Sequence, residues 1–506
     1  MEAEYIIVQA GGLGTRLGKL TKNRPKSIVP VNNLPIIFHL FRKYPKKKYI
    51  IIGDYQFDIL RRYLQTFADV EYLLIKAEGK GNGAGIKKTL KYVPENEPLM
   101  IIWSDIILSD QYVMPDIKDI CYVGISKIFS CSWKMSNGLL EKEMSTENGV
   151  AGCFLLKDKS YLYSLPEEGS FTKWLQSKNI PLTEMDMMGS KEAGTAEEIY
   201  IIDPGENRCR PYNHMEFTEN KVIKTGLTSE GKKLIDREAR WYQKVSEYGF
   251  QGIPQIYNLY PLTMERINGD NIFKAKLDDE QKKQTIDRLV DALNTLHGYE
   301  VGAVDWFGLK EDYFSKTIKR IQGIRDVIPF TNEKCINING KKCKNIFYYS
   351  DNLEKQIIKY LLDTEFGPIH GDCTLTNTMI NHDGNIYFID ARGYFGKREV
   401  IGDIYYDWAK LYYSINGGFD QFNIKKFDLE INDNEVRYTI ALSGWEHLTE
   451  YFLTKIQDCN LRKIKLIHAI VWISLASHCW EDYDSMCLAF YNGIYLWNEW
   501  MEEYDS

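Results

Sequence analysis

The sequence predicts an α/β protein of two unlike domains: a mostly parallel sheet wrapped by helices, then a two-lobed α+β domain. Three observations carry this reading. Over residues 4–120 short apolar runs alternate with helix-like segments, the signature of a parallel sheet covered on both faces. Residues 203–214, DPGENRCRPYNH, are polar and aperiodic, with two prolines and one glycine, which marks a boundary. Beyond it, short strands give way to long helical patterns.

Taken in order, residues 4–9 and 48–53 (KYIIIG) read as strands, 55–67 has helical spacing, and 71–76 and 99–103 are buried-strand runs. Residues 120–202 mix strands and turns. The expected boundaries are 1–205 for the first domain, 206–213 for a linker and 214–506 for the second domain. The last divides into a small lobe, 214–268, and a helical lobe, 269–506. In the second domain 229–248 reads as a helix, strands follow to 267, 278–296 is an amphipathic helix, and the tail 438–500 is helical and aromatic-rich.

Composition narrows the function. At roughly 100–200 residues per domain, 506 residues leave room for full cores, and 44% hydrophobic with 26% charged residues is ordinary for a globular chain. A net charge of −7 gives no basic footprint and excludes nucleic acid as the expected partner. Ten cysteines without a CxxC pair argue against a disulfide framework or structural zinc and fit a reducing cytoplasm. The opening MEAEYIIVQAGG is not a signal peptide, and no apolar run reaches the length of a membrane span. A homo-oligomer is compatible with this composition.

Two segments carry chemistry. In the first, Gly11, Gly12 and Gly14 follow the first strand directly, so that backbone N–H groups can approach phosphate without a Cβ in the way. Thr15-Arg16 follows, and Lys26 comes ten residues after Arg16, within Pro25-Lys26. Two such cations can neutralise a triphosphate and the charge that develops during attack on it. In the second, His370-Gly371-Asp372 is followed by Asn377 and, thirteen residues after it, by Asp390. This is the order that kinase phosphoryl transfer requires: a carboxylate for the hydroxyl proton, an amide for Mg²⁺ and a later carboxylate bridging Mg²⁺ to phosphate.

On these residues, positions 4–202 resemble the Rossmann-like nucleotidyltransferases that make NDP-sugars and CDP-alcohols. The resemblance implies that Gly11, Gly12, Gly14, Thr15 and Arg16 hold the triphosphate and that Lys26 meets the incoming phosphate. It implies a metal pair, Asp105 after the strand IIWSD and Glu192 in EAGT. The family places Gly before the first acid and Asp at the second, where this chain has Ser104 and Glu192. Gly81 and Gly83, in the loop GNGAG, would flank the base, with Gln9 a further candidate. Gly152, in VAGCF, would make room for the substrate.

Positions 214–500 resemble the aminoglycoside phosphotransferase and choline kinase family, which is bilobal and protein-kinase-like. That resemblance implies Asp372 as base and Asn377 and Asp390 as metal ligands. It gives Asp407 or Asp403 as a structural acid, Lys224 and Glu238 as the lysine–glutamate pair on the nucleotide phosphates, and Met264–Ile267 with Gly269 as the adenine hinge. His297 reads as structural. Trp445, Trp472, Trp480, Tyr483, Trp497 and Trp500 read chiefly as helix packing, with an aromatic cage for a quaternary ammonium as the sharper alternative. Glu481, Asp482 and Asp484 lie near them as candidate acceptor-binding acids.

Together the two resemblances imply a bifunctional Mg²⁺-dependent enzyme acting on small molecules. The kinase would phosphorylate a sugar or polyol with ATP, and the nucleotidyltransferase would join that phosphate to the NMP of a second NTP, CTP or UTP. The product would be a nucleotide-sugar-like precursor of surface glycan or lipid. Three alternatives stand beside this: a choline or ethanolamine kinase with a cytidylyltransferase giving a CDP-alcohol, a kinase with a degenerate regulatory nucleotidyltransferase domain, and drug resistance through the kinase alone.

Overall fold

Four consecutive apolar residues put β1 (Tyr5–Gln9) in the interior of a sheet, with Ile6, Ile7 and Val8 fully buried. The computed structural model describes residues 2–117, 120–178, 180–204, 213–456 and 459–505. It divides into two units, Met1–Arg208 with Trp480–Asp484, and Cys209–Cys479 with Ser485–Ser506. The expected linker 206–213 lies, apart from Asn213, outside the described residues.

In the first unit, β1 pairs in parallel with β2 (Lys48–Gly53), which pairs in parallel with β3 (Tyr72–Lys76). On its other side β1 pairs in parallel with β4 (Leu99–Trp103). The helices α1 (Ile36–Lys43) and α2 (Phe57–Phe67) lie on either side of β2 in the sequence. The sheet continues through β5 (Cys121–Ser126), β6 (Lys134–Ser136), β7 (Leu139–Glu141), β8 (Gly149–Leu156) and β9 (Leu182–Asp186), with β8 antiparallel to β4. Among the described residues it is nine-stranded. Its core includes Ile7, Ile50, Ile101, Val123, Phe154 and Phe171. Because β1 and β4 run the same way, with Gln9 opposite Trp103, the glycine loop and Asp105 leave the sheet at one edge, the carboxyl edge where open α/β sheets bind ligands. A short helix, α3 (Ala196–Ile202), ends the unit.

The second unit opens with a four-stranded antiparallel sheet: β10 (Asn213–Phe217), β11 (Lys221–Gly226), then α4 (Ser229–Glu247), β12 (Ile256–Leu259) and β13 (Leu262–Glu265). Next come β14 (Gly269–Asn271), α5 (Asp279–Gly298) and α6 (Lys316–Gln322). A hairpin of β15 (Cys335–Ile338) and β16 (Lys341–Lys344) follows. The hairpin β17 (Thr378–Asn381) and β18 (Ile386–Phe388) pairs with β14. It leads into α7 (Ile404–Ile415), which packs on the later α8 (Leu461–Leu475) through Tyr413 and Trp472, 5.0 Å apart. The predicted α/β sheet and two-lobed α+β arrangement are both present.

The tail departs from expectation at its start. Residues 438–440 belong to β20 (Val436–Ile440), antiparallel to β19 (Phe427–Ile431) and joined to β15 by Ile338 opposite Val436. The run VRYTI alternates and pairs along its whole length with β19 just upstream, so a local hairpin, tied to β15 by one residue pair, stands where a helix was expected. Among the described residues no helix is long and apolar enough to cross a membrane.

Candidate functional site

In the first unit, Gly14 has φ +64° and caps a turn over Thr15–Thr21. A Cβ there would stand 2.8 Å from Thr21 and 3.2 Å from Lys26, so glycine alone lets the loop close over the lysine. Gly12, Thr15 and Arg16 are exposed, and Gly11 backs onto Asp54. Lys26 starts the turn Lys26–Ile28, and its Nζ forms an ion pair with Asp105 Oδ2, the two side chains 11% and 13% exposed.

Asp105 and Glu192 are 87 positions apart in sequence, yet a two-stranded ladder joins them. Glu192 lies opposite Ile106 and Lys191 opposite Ile107, while the Ala193 N–H donates to Asp105 O at 2.8 Å. Arg16 Nη2 reaches Glu192 Oε1 at 3.4 Å. A Cβ on Gly194 would lie 2.5 Å from Glu192 Oε1 and 3.0 Å from Arg16 Nη2, so this glycine leaves both side chains room where they meet. Thr195 and Glu198 form a capping box on α3, and Glu198 also accepts the Gly194 N–H at 2.9 Å. Burial, then the charges of Asp105 and Glu198, push the Glu192 carboxyl up to about 7 against the pull of Lys26 and Arg16. Crowded carboxylates of this kind are relieved by a hard cation, and a two-carboxylate pair is the usual protein share of a Mg²⁺ site. Asp105 and Glu192 therefore fit Mg²⁺ in donor chemistry. Among the described residues no group of three or more His, Cys, Asp or Glu side chains forms a larger metal cage.

Other glycines of the first unit meet protein rather than open space. Gly81, at φ +94°, lies against the Gly169 backbone, and the Gly83 N–H donates to Gly169 O at 2.9 Å. Gln9 Nε2 donates to Asn82 O and Ala84 O at 2.8 and 2.9 Å, which ties this loop to β1. Gly152, at φ +65°, sits where β8 shifts register against β5, and a Cβ there would stand 2.5 Å from the Trp103 indole. The Trp103 indole thus packs directly against Gly152. Asp482 and Asp484, read above as candidate acceptor acids, form ion pairs with Arg24 inside the first unit.

In the second unit, Lys224 on β11 meets Glu238 on α4, Nζ to Oε1 at 2.7 Å, and also pairs with Asp390 Oδ1. Burial opposes its charge, but Asp390 and Glu238 hold it above the usual lysine range. Asn377 and Asp390 flank the β17–β18 hairpin, and the Ile389 N–H donates to Asn377 O at 3.0 Å, so one hairpin presents both. Asn377 Nδ2 donates to Asp372 Oδ2 at 2.8 Å and to Asp372 O at 2.9 Å. The hairpin thus gathers an amide and a carboxylate oxygen whose chemistry fits Mg²⁺. Asp407, buried on α7, accepts the His370 and Gly371 N–H groups at 2.9 and 2.7 Å and faces His297 Nε2 at 3.1 Å. The Asp372 N–H donates to His370 Nδ1 at 3.2 Å, while His370 Nε2 faces Ile389 O at 3.0 Å. Burial lowers the His370 pKa despite the neighbouring carboxylates, so His370 is a neutral brace behind Asp372. Asp403 caps α7 and is buried among Tyr313, Thr364 and the Tyr405 N–H.

Three side chains here escape sequence reasoning. Lys410 Nζ lies 2.9 Å from Asp372 Oδ1. Its only sequence signal is a lysine one turn after Asp407. Arg392, two residues after Asp390, pairs with buried Asp312 at 2.7 Å, and Asp312 also holds Lys316 at 3.1 Å. Trp445, Trp472, Trp497 and Trp500 are at most 2% exposed. The last three donate their indole N–H to His468, Gln356 and Arg462 O. They build core, not an ammonium cage.

A glycine-loop sheet with a lysine–carboxylate centre, joined to a hairpin carrying Asp372, Asn377 and Asp390, defines a chain of two transferase-type parts. Residues 5–119 match the nucleotidyl transferase family and residues 221–427 the phosphotransferase enzyme family. Both are enzyme families, and at that level the fused nucleotidyltransferase–phosphotransferase reading is borne out. A D-glycero-alpha-D-manno-heptose 1-phosphate guanylyltransferase of Campylobacter jejuni is 36% identical over 104 residues, 19% of this chain and 45% of that protein. A bifunctional protein GlmU of Methanococcus maripaludis is 27% identical over 107 residues, 21% of this chain and 25% of that protein. The chain thus spans less than half the length of these curated relatives. Among solved structures, the inositol-1-phosphate CTP transferase from T. maritima aligns at TM-score 0.34 and 15% identity, covering 40% of this chain and 98% of that one.

Proposed function

We propose that this chain is a bifunctional kinase and nucleotidyltransferase, with the first activity in 214–506 and the second in 1–205. The observation that carries the reading is the Asp372 centre: a half-exposed carboxylate fixed by Asn377 and Lys410, beside Lys224, Glu238 and Asp390. A sugar or polyol hydroxyl attacks the γ-phosphorus of ATP in line, ADP leaves, and Asp372 accepts the hydroxyl proton. Lys224, positioned by Glu238, holds the nucleotide phosphates. In the first unit an oxygen of the new phosphate attacks the α-phosphorus of CTP or UTP, and pyrophosphate leaves. The Gly11–Gly12–Gly14 loop, Thr15 and Arg16 cradle the triphosphate, Lys26 meets the attacking phosphate, and Gly81, Gly83 and Gly152 shape the surrounding walls. Mg²⁺, held by Asp105 and Glu192 and by Asn377 and Asp390, would supply charge neutralisation. The product would be an activated precursor of surface glycan or lipid, and linkage on one chain raises the effective concentration of the phosphorylated intermediate.

The test is ADP release by the full chain with ATP, Mg²⁺ and glycerol, ribitol, hexosamines, choline or ethanolamine, each product then offered with CTP, UTP, GTP or dTTP. Asp372→Ala should abolish the first step and Asp105→Ala the second. Pyrophosphate release that no phosphorylated acceptor elicits would sink the second activity.

A further inference from the structure

Around Asp372 the second unit gathers an excess of positive charge. Lys410 Nζ touches Asp372 and lies 4.8 Å from the Tyr413 ring. Arg392 stacks on Tyr394 and Tyr406, 4.5 and 4.9 Å from their centroids. The Tyr394 ring also faces Arg237 and Lys316, each at 4.6 Å. Asp312 pairs with Arg392 and Lys316, and Asp372 with Lys410; among the described residues no carboxylate forms a further ion pair with these three.

Arg320 on α6 stands apart from the rest. Its Nη1 donates to Ser474 Oγ at 2.8 Å, and among the described residues no carboxylate forms an ion pair with it. Burial, with Arg392 adding to it, lowers its pKa despite Tyr394, Tyr406 and the carboxylate of Asp312, which is already engaged by Arg392 and Lys316. Desolvated guanidinium beside a second guanidinium, with a hydroxyl as its partner, is costly unless an anion joins it. Tyr406 is a common neighbour of Arg320, Arg392 and Lys410. Nearby, the buried Tyr413 hydroxyl has no hydrogen-bond partner among the described residues. A hydroxyl beside clustered cations suits a ligand bearing both hydroxyl and anionic oxygens.

We infer that the phosphoryl acceptor of the second unit is an anionic polyol, a small hydroxylated molecule bearing a carboxylate or phosphate, received by Arg320, Arg392 and Lys410. The inference rests on the kinase reading above and narrows its acceptor. A quaternary ammonium would enter against like charge.

The test uses the full chain with ATP and Mg²⁺ and acceptors matched except in charge: glycerol, D-glycerate and glycerol 3-phosphate; ribitol and D-ribonate; choline. ADP release should favour a charged member over its neutral partner by about tenfold or more in kcat/KM, the glycerate and glycerol phosphate arms separating carboxylate from phosphate. Arg320→Gln should raise KM for that acceptor about 10- to 100-fold with a smaller change in kcat. Arg320→Lys, which keeps the charge, should recover part of the loss and guards against misfolding. Neutral or cationic acceptors that match or exceed the anionic ones overturn the inference, as does an unchanged KM in Arg320→Gln. If MgATP stabilises the chain thermally yet no acceptor class is preferred, the inference alone fails. If MgATP gives no stabilisation and no acceptor raises ADP release, the kinase reading falls and takes the inference with it.

Discussion

The two lysine centres differ in the sign of what surrounds them. Around Lys26 one ammonium faces Asp105 directly, and burial, then the charges of Asp105 and Glu198, push the neighbouring Glu192 carboxyl up to about 7. Around Asp372 the excess is cationic, from Lys410, Arg392, Lys316 and Arg320. The scaffolding differs too. A turn and a two-residue ladder assemble the first site, whereas strand, helix and hairpin each fix one member of the second. The charge left unbalanced is therefore opposite in sign: carboxylate at the first site, ammonium and guanidinium at the second.

The largest test of this contrast is Asp372→Asn, expected to lower acceptor-dependent ADP release about 10²- to 10⁴-fold. A loss under tenfold would remove Asp372 from the chemistry. Next, Lys224→Met leaves Glu238 buried without its cation and should destabilise the chain by about 3–5 kcal/mol. Lys26→Met, whose carboxylate partner is less enclosed, should cost roughly 1–2 kcal/mol. Equal shifts in urea unfolding would erase the structural difference between the two sites.

Glu192 gives a pH signature. Its pKa in the folded chain, about 7, lies above its ordinary 4.5, so between these values the folded chain keeps a proton that the unfolded chain has lost. Its contribution to stability is therefore full below about pH 4.5 and lost as pH rises through 7, by up to about 3 kcal/mol. In EDTA the thermal midpoint should fall over this range, Glu192→Gln should flatten the fall, and Mg²⁺ should oppose it. A slope unchanged by Glu192→Gln would break the reading of crowded carboxylates. The smallest effect is Thr195→Ala, which removes the α3 cap and should cost about 1 kcal/mol in the same unfolding measurement.

Where chemistry sits in one contiguous run, sequence makes it legible. His370 to Asp390 forms a turn and a hairpin, so spacing alone brings Asn377 beside Asp372 and Asp390. The alternation of 4–103 likewise exposes the parallel strands, because apolar runs and helical segments have different periods. Lys410, Arg392, Asp312 and Arg320 are silent in sequence because their meaning arises from packing between α6, α7 and the segment after the hairpin. Gly152 shows a subtler limit: its positive φ and the Trp103 indole packed against it are visible only in the fold. The strand at 436–440 is a different case: it pairs with β19 just before it in the chain, so its signal, the alternation of VRYTI, is local.

One consequence of Lys224 concerns the order of events. Its single positive charge is shared by Glu238 and Asp390, so this end of the cleft is already net negative. A bare polyphosphate approaching it would meet carboxylate repulsion, whereas a divalent counter-ion held by Asp390 would neutralise that charge and leave Lys224 to phosphate. On the kinase reading, nucleotide and metal would arrive as one complex, and lowering free Mg²⁺ at constant ATP would slow capture before it weakened grip.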